Sequence, residues 1–144
     1  MKKLIGALAT TIIFAACQPA ADYKTVRDDV MKFHDVVMAD HGIIVGNQMK
    51  LDTIYNDFTG LKNKYPEVDT LREKESILAL KSELVKAEDA MNDWMHKFEP
   101  DITGKSQDEA IAYFQSEKLK IAAIDSLYKR QIKSSNEYLS KFNK

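Results

Sequence analysis

Between Tyr23 and Lys62 apolar side chains recur every three or four residues without a single proline, and that rhythm decides what the chain can become. Val26, Val30, Phe33, Val37, His41, Ile44, Leu51, Tyr55 and Phe58 mark the stripe, with Gln48 at its one polar step. This spacing lines side chains along one face of an α-helix, whereas a half-buried strand alternates every second residue. Forty helical residues would make a rod about 60 Å long. Gly42 and Gly46 are its weak point, each costing about 1 kcal/mol relative to Ala in a helix interior. Two outcomes are open there. The helix continues and the glycines admit a neighbouring backbone, or it kinks or breaks after His41, with Asn47 capping a second segment.

The turn at Asn63-Lys64-Tyr65-Pro66 ends this stretch, because the proline drives Tyr65 out of helical conformation. A second helix is expected from Asp69 or Thr70 to Phe98 or Glu99, burying Leu71, Ile77, Leu80, Leu84, Ala87, Met91, Trp94, Met95 and Phe98. Pro100 stops it, and Ser106-Gln-Asp-Glu109 has the spacing of a capping box. A third helix follows with Ile111, Phe114, Ile121, Ile124, Tyr128, Ile132, Leu139 and Phe142 on its buried face. The chain has 144 residues, only 5 Gly and 3 Pro, which suits one domain of long helices. The expected fold is all-α, an antiparallel up-down-up bundle of three long helices over residues 23–144, crossing near +20°. A dimer built on a two-stranded coiled coil is the alternative.

The first residues read as an address. Met1-Lys2-Lys3 is basic, Leu4 to Ala16 carries no charge, and Phe14-Ala15-Ala16-Cys17 is followed by Gln18-Pro19. The uncharged run is too short to span a bilayer, which takes a helix of about 20 residues. It resembles a bacterial lipoprotein signal, with small residues before the cysteine, although Phe14 stands where Leu, Val or Ile is usual. The resemblance implies that residues 1–16 are removed and that Cys17, diacylglycerated on sulfur and N-acylated, becomes the mature N-terminus. Residues 17–22 would then be the acylated Cys and tether. Several acyl chains together anchor stably where one does not. Gln18, not Asp, follows the cysteine, which by resemblance to sorting behaviour points to the outer membrane, facing the periplasm or the cell surface. Cys17 is also the only cysteine, so an intramolecular disulfide and a Cys-rich zinc site are excluded.

Losing Lys2 and Lys3 leaves 19 basic against 22 acidic side chains, of interspersed sign. That balance fits neither nucleic acid nor a polybasic membrane patch. The rarer residue types cluster at two places. His34, Met38 and His41 fall on one face of the first helix, and Met91 and Met95 are one turn apart on the second, beside Trp94. Centring the hairpin on residues 65–66 sets His34 opposite about residue 97, Met38 opposite 93 and His41 opposite 90. Imidazole and thioether together suit Cu(I), so these five residues are the candidate copper ligands. His96 lies off that stripe. The plainer reading makes Met91 and Met95 gap-fillers, Trp94 and Phe98 core anchors, and the histidines rim residues. The chain lacks His-Glu-x-x-His, a Gly-rich phosphate loop, a Gly-x-Ser-x-Gly elbow and the Glu-x-x-His pairs of di-iron bundles, so no catalytic residues are assigned.

The lipoprotein signal, His-Asp-Val-Val-Met38 and Ala90-Met-Asn-Asp-Trp-Met95 followed by Phe98 together resemble a group of small helical lipoproteins of Bacteroidetes-type bacteria. That group has no assigned activity. The resemblance implies an envelope lipoprotein with a helical fold, and it pairs the same two stretches that the hairpin sets against each other. The functional expectation is a non-enzymatic, membrane-anchored helical interaction or structural module without a cofactor, with a protein partner in the envelope. Copper(I) binding is the alternative.

Overall fold

Each helix begins where an oxygen-bearing side chain takes up amides that the first turn leaves free. Asp22 accepts from the Lys24 amide at 3.2 Å, and Asp69 from those of Leu71 and Arg72 at 3.1 and 3.2 Å. At Ser106 the capping box forms. The serine hydroxyl accepts from the Glu109 amide at 3.3 Å, and the Glu109 carboxylate accepts from the Ser106 amide at 2.7 Å. The computed structural model describes residues 22–142, which form α1 (Tyr23–Asn56), α2 (Phe58–Lys64), α3 (Thr70–Lys97) and α4 (Gln107–Ser140). The expected signal, Cys17 and the tether up to residue 21 lie outside the described residues, as do Asn143 and Lys144. Among the described residues no helix is long and apolar enough to cross a membrane.

α1 runs unbroken through Gly42 and Gly46, so the kink or break weighed there does not occur. Close approach of a neighbour does not occur either, since a Cβ on either glycine would meet nothing within 4 Å. The inner side of the same turns holds the helix in place. Ile44 is fully buried, and Asn47 lies inside α1, its side-chain amide donating to the Ser135 hydroxyl and to the Asn136 side-chain Oδ1, both at 2.8 Å, instead of capping a segment. Tertiary contacts there outweigh glycine's low helix propensity. The interruption comes later, at Asp57. Its side chain accepts from the Gly60 amide at 2.7 Å and starts α2, where a Cβ on residue 60 would run into that carboxylate.

The core consists of three rows spaced by sevens. Val30, Val37, Ile44 and Leu51 on α1, Ile77, Leu84 and Met91 on α3, and Phe114, Ile121, Tyr128 and Ser135 on α4 are all at most 1% exposed. A strict seven-residue repeat is the spacing of helices that pack side by side through one apolar seam. Burying each large aliphatic side chain contributes about 1.5–3 kcal/mol. Partners on α1 and α4 climb together: Tyr23 with Phe114, Asp29 with Lys118, His41 with Tyr128, Asn47 with Ser135. Partners on α3 run the other way. Trp94 meets Glu117 and Glu73 faces Tyr138 on α4, while on α1 His34 lies by Trp94, His41 by Glu88 and Asp52 by Lys81.

Three expected burials are corrected. Leu71 is 69% exposed and Met95 37%, because each stands at a margin of the α3 face and not on its inner row. The polar core position of α1 is Asn47, while Gln48 is half-buried and reaches across to Glu88.

Candidate functional site

The His/Met residues divide between the core and its margin. Met91 sits in the inner row of α3. Met38 and Met95 are 40% and 37% exposed. The His34 ring lies 6.2 Å from Trp94, with Nδ1 3.0 Å from the neighbouring Asp35 carboxylate. His41 Nδ1 is 3.4 Å from the Tyr128 hydroxyl and Nε2 4.0 Å from Glu88. His96 is exposed, its Nδ1 donating to the Asn92 carbonyl at 2.7 Å. The two stretches therefore meet as the hairpin requires, within a turn of the expected register. Among the described residues no three His, Cys, Asp or Glu side chains gather as metal ligands do.

Much of the polar chemistry joins one helix to another. Trp94 Nε1 donates to the buried Glu117 carboxylate at 2.9 Å, and Lys120 pairs with the same group at 2.6 Å. Gln48 donates to Glu88 at 2.5 Å, the carboxylate that His41 also approaches. Burial, with the Glu88 charge nearby, pushes the Tyr128 hydroxyl up to about 12. Burial first, and then the facing Glu73 carboxylate, raise Tyr138 as well, although the two groups do not reach hydrogen-bond geometry. Asp29 is held below the usual carboxylate range, mainly by the Lys118 ammonium that ties α4 to α1. Sequence reasoning missed Glu117, Asp125 and Ser135 as buried positions. Their signal was present, since all three fall at three- and four-residue steps along the Phe114–Ile121–Tyr128 row.

No protein-family model, curated protein or solved structure matches this chain. The surface must speak for itself.

Its α1–α3 side is layered. Inside are the buried rows, with Val37, Ile44 and Leu51 on α1 level in turn with Met91, Leu84 and Ile77 on the antiparallel α3. Next comes a polar row, again spaced by sevens: His34, His41 and Gln48 on α1, and Lys74, Lys81 and Glu88 on α3. These residues make the contacts between the two helices, including Lys74 and Lys81 over the Tyr55 ring, each 5.8 Å from its centre. Beyond them, where an isolated bundle turns to water, the chain becomes apolar again. Met31, Met38 and Val45 on α1 and Leu71, Leu78 and Val85 on α3 continue the same repeat and stand 36–69% exposed. Each is three or four residues from a bridging polar side chain, hence one turn away on the outer side. Met49, 66% exposed, extends the α1 row.

Proposed function

We propose that this chain is a non-enzymatic envelope lipoprotein: an up-down-up bundle of three long helices, tethered by acylated Cys17, that presents its α1–α3 face to a protein partner. The outer apolar row carries this reading. A polar layer lies between the core and these side chains, so a third or more of each still meets water in a single chain. Ordered apolar rows of this kind mark interaction surfaces, and methionine adapts its shape to what it meets. The polar groups that would be candidates for chemistry support the same reading, because Glu117, Glu88, Asn47 and Tyr128 are engaged in interhelical contacts. A photo-crosslinking side chain at Val45 of the full, lipidated chain in intact envelopes should capture a protein. The same probe at exposed Glu75, off the face, should not. Equal labelling from both positions would sink the proposal.

A second reading is Cu(I) binding by His34, Met38, His41, Met91 and Met95. One observation favours it: Met38 and Met95 are accessible thioethers on the two helices that His34 and Trp94 bring together. Purified protein should then compete with a Cu(I) chelator, and His41→Ala with Met95→Ala should abolish the competition. Failure to compete at all rejects this reading.

A further inference from the structure

We infer that the trough between the last turns of α1, α2 and the end of α4 binds a small organic anion, a carboxylate carried on an apolar body. The site is separate from the α1–α3 face and does not depend on it.

Local structure builds the trough. α1 stops at Asn56, and the Asp57 cap starts α2 through the Gly60 amide at 2.7 Å. The far end of α2 is fastened by Tyr65, whose hydroxyl donates to the Phe142 carbonyl at 2.9 Å and whose ring meets Phe142 edge-on. Two adjoining cavities of about 330 and 210 Å³ open between these pieces and share Thr53, Ile54 and Phe142. Leu61 adds to the wall of the larger and Leu139 to that of the smaller. The larger has the size of small-molecule sites, which begin at about 300 Å³ and are mostly apolar with a few polar groups.

Charge selects the ligand. Lys50 stands on the lining of the smaller cavity and Lys64 on that of the larger. Asp57 is the one acid on either lining, and its carboxylate already holds the Gly60 amide. Lys64 lies 5.2 Å over the Tyr65 ring, and Lys50 has neither a carboxylate nor a ring partner among the described residues. Two other cavities with apolar walls differ in this respect. Beside Phe33, Lys32 and Lys118 both close on Asp29, at 3.1 and 2.8 Å. Beside Trp94, Lys97 closes on Asp93 at 3.3 Å and Lys120 on Glu117 at 2.6 Å. Each ammonium there already has its anion, whereas Lys50 keeps three donors uncommitted. A cation in the trough would meet Lys50 and Lys64. A carboxylate gains a charge-assisted bond while its apolar body covers Ile54, Leu139 and Phe142.

The full chain in lipid nanodiscs, dialysed to equilibrium against 4-phenylbutanoate with empty discs as the blank, should take up one equivalent saturably. Lys50→Gln replaces an exposed side chain, so helix content by circular dichroism should hold while binding weakens about tenfold or more. Lys50→Arg should keep the affinity. The uncharged amide of the same acid should bind the unaltered chain as weakly as the acid binds Lys50→Gln. Lys118→Gln and Lys120→Gln, at the other two cavities, should bind 4-phenylbutanoate like the unaltered chain. No saturable uptake above empty discs overturns the inference. So does binding that Lys50→Gln retains at full strength, or that Lys118→Gln or Lys120→Gln removes.

Discussion

Replacing Gly42 and Gly46 by alanine tests whether α1 is the continuous rod described above. Neither glycine has a positive φ, the conformation that would require it. A Cβ at either position meets no atom within 4 Å, so nothing has to move. What remains is helix propensity, worth about 0.8–1 kcal/mol per Gly→Ala exchange in a helix interior, part of it from a stiffer unfolded chain. The sites are one turn apart and share no side-chain partner, so the double variant should gain about 2 kcal/mol. For a body of this size that is a rise in Tm of about 6–10 °C. Thermal and urea unfolding followed by circular dichroism on dilute protein would show it, with an unchanged slope against urea. A fall in stability for either single variant would refute the reasoning, because it would mean a bend or a close neighbour at that turn.

Two further predictions concern the polar interior. Asn47→Ala removes one buried and one part-buried hydrogen bond to α4 and leaves a small cavity, and should cost about 2–3 kcal/mol in urea unfolding; a loss under ~0.5 kcal/mol would mean that these bonds contribute nothing net. Tyr128 keeps its proton to about pH 12 when folded, against about 10 when unfolded, so the folded state binds more protons between those values. Stability should therefore be flat below pH 10 on this account and fall from pH 10 to 12, with Tyr128→Phe weakening that slope; an unaltered slope would contradict the assignment.

How much of this was legible in the sequence depends on which row of the repeat is considered. The inner rows were legible, because Val30, Val37, Ile44 and Leu51 are apolar and regularly spaced, and the capping box at Ser106 announced α4. Periodicity reports a face and not a depth, which is why the spacing predicts burial for Leu71 and Met95 while they stand at the margin of the core. The sequence leaves open a continuous helix or a break at Gly42 and Gly46, and the choice between them is not local either. Glycine propensity is a local cost of about 1 kcal/mol, and the burial of Ile44 together with the Asn47 bonds outweighs it. Asp57 and Gly60 interrupt the rod because a side-chain cap forms there, and such caps depend on a single carboxylate finding a single amide. At the candidate site the pairing of the two histidine- and methionine-bearing stretches followed from hairpin geometry. The role of Glu88 and Tyr128 beside His41 did not, since it depends on the relative rotation of three helices.

The anchored-module account rests most directly on Cys17. Intact mass spectrometry of the chain isolated from envelopes, with its N-terminal peptide sequenced, should give a mature protein that begins at Cys17 and carries diacylglycerol and an N-acyl chain. A mature N-terminus elsewhere, or an unmodified Cys17 thiol, would contradict it.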